Sequence, residues 1–355
     1  MLKCLVIGSG ITGLASAYAA VKQGYVVTIV DKDLGISGST AQQHGWFHAG
    51  HLYLMLDDIS IYESFKNNKE LIKNLNCDFD ITDQKLPWFA NENIEYHIHA
   101  TTCREYADND WTAKLDQLKT RLGANIELSE SAIFNDAFKY TSADQVMNTE
   151  KIISDLLNFL MARNVKFMQK NVENFNEVII NRSFSGKSYD KIILAIASGF
   201  NTIPDVNSTT KFSILGVSDE WIADQSLVYM HPDYKKTLNC LNHIDQFGDQ
   251  ISVIGDGVNF DVAPNKTDFY EFEEKVRKNF GVKLNKFIVG SKTEIVDSQK
   301  RNYKVNIKKL NKDVIAISAG KFSNFPTIIK EVHEYLADWN KSHAVIWHPY
   351  HKRKL

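Results

Sequence analysis

Apolar residues at the amino terminus follow the pattern of a strand, a helix and a second strand. Residues 2–7 form a short, nearly continuous apolar run, which is typical of a buried parallel strand. Residues 14–22 have the pattern of a helix rich in small residues, and Gly24 follows them. A second apolar run covers residues 25–30 and ends at Asp31. The pattern therefore predicts a βαβ unit at the start of the chain.

Two later apolar runs have a similar character. Residues 189–194 form an apolar strand that leads into the small residues of 195–199. The run 314–320 ends on Gly320, and residues 325–339 then have a helical pattern with Pro326 in its first turn. This second strand–glycine–helix unit predicts that the chain returns to complete a nucleotide site. Other helices are predicted at residues 57–74, 150–163 and 270–279, and strands at residues 94–100, 226–230 and 250–254.

Composition allows a large core and about two domains. The 355 residues are 44% hydrophobic, and 41 Lys and Arg stand against 43 Asp and Glu, for a net charge of -2. This balance gives no reason to expect nucleic acid as a partner. No apolar stretch reaches the about 18 residues that predict a membrane-spanning helix. The four cysteines form no CxxC pair, which favours a reducing, cytoplasmic location and indicates neither a zinc nor a dithiol motif.

The turn between the first strand and its helix, Gly8 to Gly13, reads GSGITG. In a dinucleotide-binding turn of this spacing, the first glycine permits the tight turn and the second lets a pyrophosphate approach the backbone. The third glycine lets the helix pack closely against the strand. The helix N terminus offers N–H groups and a positive dipole end to the phosphates, and Asp31 stands where an acid accepts hydrogen bonds from ribose. The turn predicts dinucleotide binding without separating FAD from a nicotinamide nucleotide.

A polar loop over residues 38–50, GSTAQQHGWFHAG, follows the βαβ unit. Together they resemble the FAD-dependent D-amino-acid-oxidase-like superfamily, and the loop is most similar to the glycerol-3-phosphate dehydrogenase and 2-hydroxyglutarate oxidase branch. Residues 164–172 and 195–199 resemble the middle nucleotide segment of that family. The resemblance implies FAD as the cofactor. The positions that would contact it are Gly8, Gly10, Ile11, Thr12, Gly13, Asp31, Lys32, Ser39, Thr40, Gln43, His44, Gly45, Val172, Ala197, Ser198, Gly199, Gly320 and Lys321.

Nucleotide elements near both ends and in the middle of the chain imply two interleaved domains. The fold class expected is α/β, or α+β overall, with a Rossmann-like FAD-binding domain and an antiparallel-sheet substrate domain. Residues 1–80, 140–205 and 290–345 would form the FAD-binding domain. Residues 81–139 and 206–289 would form the substrate-binding domain.

Three histidines, His44, His48 and His51, lie in the stretch from Ser39 to Tyr53 that covers most of the polar loop. Their spacing on a helix would imitate a metal site, but Gly45 and Gly50 argue against a continuous helix, so no metal is expected. His48 or His51 is a candidate to accept a proton from a substrate OH or NH group. A covalent histidyl–flavin bond, with His48 before His44, stays open alongside a purely hydrogen-bonding role.

Near the carboxyl terminus the chain departs from the family pattern. Lys321 to Asn324 stand where a second glycine is usual, and Asn302 follows Arg301 where proline is usual. Arg301 is the candidate to bind a substrate carboxylate, because a guanidinium matches a carboxylate bidentately, and a surface role is the alternative.

The function expected is oxidation of a C–OH or C–NH group of a small molecule, by hydride transfer to flavin N5. The substrate would be a 2-hydroxy acid, an amino acid or an amine. Two alternatives stay open: an enzyme acting on a larger carrier-linked substrate such as a nucleotide sugar or tRNA, and a non-catalytic nucleotide-binding protein. The oligomeric state is not predicted.

Overall fold

The computed structural model of the chain describes residues 1–34, 38–55, 59–82, 87–99, 129–135, 137–231, 236–244, 248–296 and 303–342. Its strands are β1 (Lys3–Ile7), β2 (Val26–Asp31), β3 (Trp46–Phe47), β4 (Phe89–His99), β5 (Ser129–Glu130), β6 (Ala137–Met147), β7 (Lys166–Gln169), β8 (Ser183–Phe184), β9 (Lys187–Ser188), β10 (Lys191–Leu194), β11 (Ser208–Ser218), β12 (Leu227–Met230), β13 (Leu238–Ile244), β14 (Gln250–Gly255), β15 (Lys286–Ile295), β16 (Asn306–Lys309) and β17 (Val314–Ser318). Its α-helices are α1 (Ile11–Lys22), α2 (Gly38–Ala41), α3 (His51–Met55), α4 (Ile59–Lys66), α5 (Asn68–Lys73), α6 (Thr149–Ala162), α7 (Phe175–Asn181), α8 (Lys266–Phe280) and α9 (Phe325–Ser342). Short 3₁₀ turns lie at Asn74–Cys77, Ala197–Thr202 and Phe322–Asn324.

A six-stranded sheet has the strand order β16-β17-β10-β1-β2-β7. Strands β17, β10, β1, β2 and β7 run parallel, and β16 is an antiparallel edge strand. The predicted βαβ unit is confirmed, because β1 and β2 pair in parallel on either side of α1. Strand β10 pairs with β1 and β17 pairs with β10, so the two later apolar runs both join this sheet.

Helices cover both faces of this sheet, which explains why its central strands are apolar throughout. Cys4 and Val6 of β1 belong to one core with α1, α6 and α9. Leu5 and Ile7, on the opposite face, belong to a second core with α7 and the Ala197–Thr202 turn. Because these four strands run parallel, the carboxyl ends of β1, β2, β10 and β17 share one edge of the sheet. Ligands of doubly wound folds bind at this edge.

A nine-stranded sheet follows the order β15-β11-β14-β13-β12-β4-β6-β3, and β5 pairs with β6. Its pairings are antiparallel except that β12 and β4 run parallel, so the predicted antiparallel sheet is in fact mixed. Helix α8 packs on one face through Phe272 and Val276. Strand β3 comes from the polar loop and β15 extends from Lys286 to Ile295, so this sheet also contains segments of the predicted FAD-binding domain. The division into two domains stays a prediction.

The segment predicted as one helix over residues 57–74 contains two helices where it is described. Helix α4 ends at Lys66 and α5 begins at Asn68. The side chain of Asn68 is fully buried, donates to Asn324 Oδ1 and accepts from the Thr327 hydroxyl. These tertiary hydrogen bonds are invisible in a local hydrophobic pattern. Among the described residues, no helix is long and apolar enough to cross a membrane.

Candidate active site

The turn between β1 and α1 is crowded at its glycines. Gly8 has φ +110°, and a methyl group there would overlap the carbonyl oxygen of Ala195 at the end of β10. A methyl group on Gly10 would lie 2.8 Å from Thr40 Oγ1. The Thr40 hydroxyl accepts a hydrogen bond of 3.1 Å from the Ile11 N–H, at the N terminus of α1. The turn therefore exposes backbone at close range and ties the polar loop to the helix start.

Asp31 closes β2 beside this turn. Its Oδ2 accepts hydrogen bonds from the Ser9 N–H at 2.6 Å and the Ser9 hydroxyl at 2.9 Å. Its Oδ1 accepts only a longer hydrogen bond, 3.2 Å, from the Asp33 N–H among the contacts described. The parallel pairing of β2 with β7 brings Asp31 opposite Gln169 and places Val172 nearby. Ser9 of the turn thus holds Oδ2 of Asp31, and Oδ1 can still accept a further hydrogen bond.

One cavity of about 450 Å³ joins these elements. At one end, which we call the glycine end, it is lined by the Gly8–Thr12 turn, Asp31 and Val172. At the other, the histidine end, it is lined by His44, Trp46, His48, Lys292 and Lys321. The carboxyl ends of β10 and β17 and part of β15 of the nine-stranded sheet also line this cavity.

His48 lines the histidine end and contacts two of its other residues. It is 1% exposed, stacks on Trp46 at a ring separation of 4.3 Å, and its Nε2 lies 2.9 Å from Lys321 Nζ. Burial, and then the neighbouring Lys321, hold the pKa of His48 well below its usual range. The imidazole is therefore neutral near pH 7, as a proton acceptor must be.

A buried carboxylate supports the loop that carries His48. Asp144 on β6 is fully buried, and its Oδ2 accepts from the Trp46 indole N–H at 2.8 Å and the Tyr96 hydroxyl at 2.7 Å. Its Oδ1 accepts from the Ala49 N–H at 2.7 Å, and Oδ2 lies 3.9 Å from His48 Nδ1. The antiparallel pairing of β3 with β6 brings this carboxylate beneath the loop.

Of the other histidines of this region, His51 is buried, and His44 and His243 are half-buried. His51 accepts from the Ala143 N–H through Nε2 and lies outside the cavity lining, because it starts α3 and points to the nine-stranded sheet. Burial lowers the pKa of His51 and of His44. His243 reaches the His44 carbonyl at 3.0 Å, and burial lowers the pKa of His243 to about 4. Of the two predicted proton acceptors, only His48 lies on the cavity.

Most predicted cofactor positions line the cavity. These are Gly8, Gly10, Ile11, Thr12, Asp31, Lys32, Ser39, Thr40, Gln43, His44, Val172, Ala197, Ser198, Gly199, Gly320 and Lys321. Gly13 does not, because it packs against the carbonyl oxygen of Gly8 and brings α1 against β1. Gly45 does not either, because it packs against His243 and Met147. Arg301 lies outside the described residues, so its predicted role stays a prediction.

Sequence reasoning missed the contribution of β15. Ser291, Lys292 and Thr293 line the cavity, and a methyl group at Gly290 would lie 2.8 Å from the Gln42 carbonyl oxygen. A glycine inside a strand marks close approach of another backbone, so Gly290 was the available signal. The residues 197–199, predicted as a strand end, form a 3₁₀ turn that starts with Ala197 at φ +46°. No group of three or more His, Cys, Asp or Glu side chains in the described ranges could hold a metal ion.

Comparison with protein-family models matches residues 3–285 to the family described as FAD dependent oxidoreductase. Comparison with curated protein sequences finds no match.

Among solved structures, the fold is similar to that of three enzymes. Iminodiacetate oxidase from Chelativorans sp. BNC1 is 11% identical with a TM-score of 0.66, and the match covers 95% of each chain. L-proline dehydrogenase from P. horikoshii is 14% identical with a TM-score of 0.62, over 95% of this chain and 94% of that one. L-alpha-glycerophosphate oxidase from Mycoplasma pneumoniae, solved with FAD bound, is 14% identical with a TM-score of 0.66, over 94% of each chain. At these identities the likeness shows the fold alone.

Proposed function

We propose, from the premise that this chain belongs to the FAD dependent oxidoreductase family, that it oxidises a C–OH or C–NH group of a small molecule. The observation that carries this proposal is the cavity that joins the glycine turn to the uncharged His48 and the neighbouring Lys321. The family makes the chain an enzyme with FAD as its cofactor. The nature of the substrate and the roles of individual residues are the finer parts of the proposal.

The glycine end fits the FAD pyrophosphate and ribose. Side chains at Gly8 or Gly10 would occupy the space beside Ala195 and Thr40, so their absence leaves backbone open to a ligand. The N terminus of α1 supplies N–H groups and a positive dipole end for the phosphates. Asp31 Oδ1 would accept from ribose hydroxyls while Oδ2 stays bound to Ser9. Buried polar atoms without a described hydrogen bond, Nδ1 of His44 and of His48, lie at the opposite end.

When bound, FAD supplies a ring that accepts a hydride from the substrate carbon. The protein then has three tasks: to hold the substrate, to keep water out and to take the proton from its OH or NH group. The histidine end suits the last task, since His48 is buried and uncharged and its hydrogen-bond partner Lys321 lines the same cavity. His51 lies outside the lining, which supports His48 as the proton acceptor in this proposal.

Two lysines at the histidine end favour a substrate with an acidic group. Lys292 and Lys321 both line the cavity, and their positive charges both lower the pKa of His48, which places them close to it. The names of the structural relatives agree with this class, because iminodiacetate, proline and glycerophosphate each combine an oxidisable carbon with a carboxylate or phosphate. We therefore place the substrate among amino acids, amines with a carboxylate, 2-hydroxy acids and polyol phosphates.

Anaerobic bleaching of the bound flavin tests the proposed function. The purified holoprotein is mixed with iminodiacetate, L-proline, sarcosine, a 2-hydroxy acid or L-alpha-glycerophosphate, and flavin absorbance is followed. Loss of the oxidised bands with one or more of these compounds is expected. If dithionite bleaches the flavin and none of the small molecules does, a carrier-linked substrate becomes the better hypothesis.

Acid precipitation of the same sample tests the covalent alternative. Lys321 donates to His48 Nε2, and Nδ1 of His48 faces Asp144, so we propose non-covalent FAD. Yellow colour should then move to the supernatant. Colour that stays in the pellet, and is lost in His48→Asn or His44→Asn, would identify a covalent link and its residue.

A further inference from the structure

We propose that Lys321, His48 and Asp144 form a proton relay in which Asp144 is the positioning residue, holding His48 and stabilising its protonated form. The inference deepens the proposed function, on which it rests. Asp144 lies outside the cavity lining and would act only through His48.

The contact between Lys321 and His48 determines which ring nitrogen of His48 carries the proton. A lysine ammonium has three donors and no acceptor, so at 2.9 Å Lys321 Nζ donates and His48 Nε2 accepts. A neutral imidazole carries one proton, which must then sit on Nδ1. Nδ1 faces Asp144 Oδ2 at 3.9 Å, beyond hydrogen-bond distance but close enough for the charges to interact.

Asp144 is held where it is by three donors. The indole N–H of Trp46, the hydroxyl of Tyr96 and the N–H of Ala49 all point to this carboxylate. A carboxylate accepts hydrogen bonds through both oxygens, so three donors match this side chain. Two of the donors belong to the same loop as His48, so the carboxylate fixes both the position of the imidazole and the charge beside it.

The proton step balances over three groups. One Lys321 N–H bond breaks and an Nε2–H bond forms on His48, which leaves a lone pair on Lys321 Nζ. The substrate O–H or N–H bond then breaks, and its proton forms a new N–H bond on that nitrogen. Lys321 begins and ends as an ammonium, and His48 becomes an imidazolium beside the Asp144 carboxylate. Without that carboxylate, the buried imidazolium would stand alone among positive groups, which is unfavourable.

Other charged groups around His48 act against this step. Lys292 of β15 and His44 of the polar loop also lower the pKa of His48, after burial and Lys321. From α3, the Tyr53 ring lies 5.8 Å from the His48 ring. Among the groups described here, Asp144 is the one anionic side chain that faces the imidazole.

Nuclear magnetic resonance of ¹⁵N-histidine-labelled holoprotein tests the relay without a substrate. Wild-type His48, assigned by its absence in His48→Asn, should be neutral at pH 7.5 with its proton on Nδ1. Lys321→Met should raise the pKa of His48, because a neighbouring cation is lost. Asp144→Asn, added in the Lys321→Met background, should lower the pKa again by about 1–3 units, the usual effect of one opposite charge at this range.

Lys321→Met and Asp144→Asn should shift the pKa of His48 in opposite directions, which general damage to the fold would not do. Asp155→Asn is the matched control, since Asp155 accepts from the Trp88 indole N–H at 2.7 Å, and it should leave the pKa of His48 unchanged. If Asp144→Asn fails to fold, Tyr96→Phe replaces it. That variant keeps the charge but removes one donor, and should raise the pKa of His48 slightly.

Two results would overturn the relay: a proton on Nε2 of wild-type His48, or the same pKa with and without Asp144. Either outcome leaves the proposed function standing, because that function is judged by flavin bleaching. Conversely, flavin that no small molecule bleaches removes the proposed function while the resonance data still report on the three groups.

Discussion

The two ends of the cavity are built in different ways. The glycine end takes its turn, helix N terminus and acid from one βαβ unit at the start of the chain. The histidine end combines the polar loop, β6, β15 and the residues after β17, and the Lys321–His48 contact spans 273 positions of sequence. Local spacing therefore specifies the first end, whereas strand pairing across the molecule specifies the second. Substitutions at each end test this contrast.

Gly8→Ala should have the largest effect on FAD binding, because it changes the glycine turn itself. An alanine at φ +110° costs about 1–3 kcal/mol in strain, and its methyl group would also overlap the Ala195 carbonyl oxygen. We expect FAD affinity to fall by at least about 100-fold, measured by titrating apoprotein with FAD.

Gly186→Ala is the control for backbone strain alone. Gly186 has φ +73°, and a methyl group there meets no atom within 4 Å. It should lower stability without changing FAD affinity. Equal losses of affinity in both variants would show that the overlap at Gly8 is irrelevant to binding.

Asp31→Asn should weaken FAD binding by about 10- to 100-fold, since a hydrogen bond to a charged group contributes about 1.5–3 kcal/mol. Its matched control is Asp190→Asn, because Asp190 accepts from the Lys3 N–H at 2.7 Å at the far end of the same strands. The same titration compares them. Unchanged affinity in Asp31→Asn would mean that this carboxylate only holds Ser9.

The contrast also explains what the sequence predicted. The order of strand, turn, helix and strand follows from apolar runs and glycine spacing within residues 2–31, and the structure confirms it. Lys292 was not predicted. Gly290 nearby signals that some backbone approaches, but the local sequence does not reveal that β15 pairs with β11 or that the approaching group is the Gln42 carbonyl oxygen. His51 was chosen as a proton acceptor because it lies close to His48 in sequence, but α3 directs it to the other sheet. Asp144 was not predicted because it belongs to no local sequence motif. Its three hydrogen-bond donors come together only when the chain folds.

Acid should destabilise the folded chain through His243, which contacts the His44 carbonyl beside the histidine end. The folded-state pKa of His243 is about 4, below the usual value of about 6.5, so between these values the unfolded chain binds more protons. The contribution of uncharged His243 to stability is therefore complete above about pH 6.5, and it is lost as the pH falls toward 4. For His243 alone, the free energy of unfolding should drop by about 2 kcal/mol between pH 7.5 and pH 5.

His243→Gln should remove that part of the acid sensitivity. A glutamine amide can still donate to the His44 carbonyl, but it does not titrate. Urea unfolding at the two pH values measures the difference. A variant as acid-sensitive as the wild type would assign the effect to the other buried histidines.

Thr40→Val should have the smallest effect, and it tests the point where the two ends meet. The Thr40 hydroxyl accepts from the Ile11 N–H, so it joins the polar loop to the start of α1. Loss of such a cap costs about 1 kcal/mol, and urea unfolding of the apoprotein should show a decrease of that size. Thr40→Ser keeps the acceptor and should retain most of the stability. If both variants are equally stable, the loop is positioned from β3 and Asp144 alone, and the histidine end is built independently of the glycine turn.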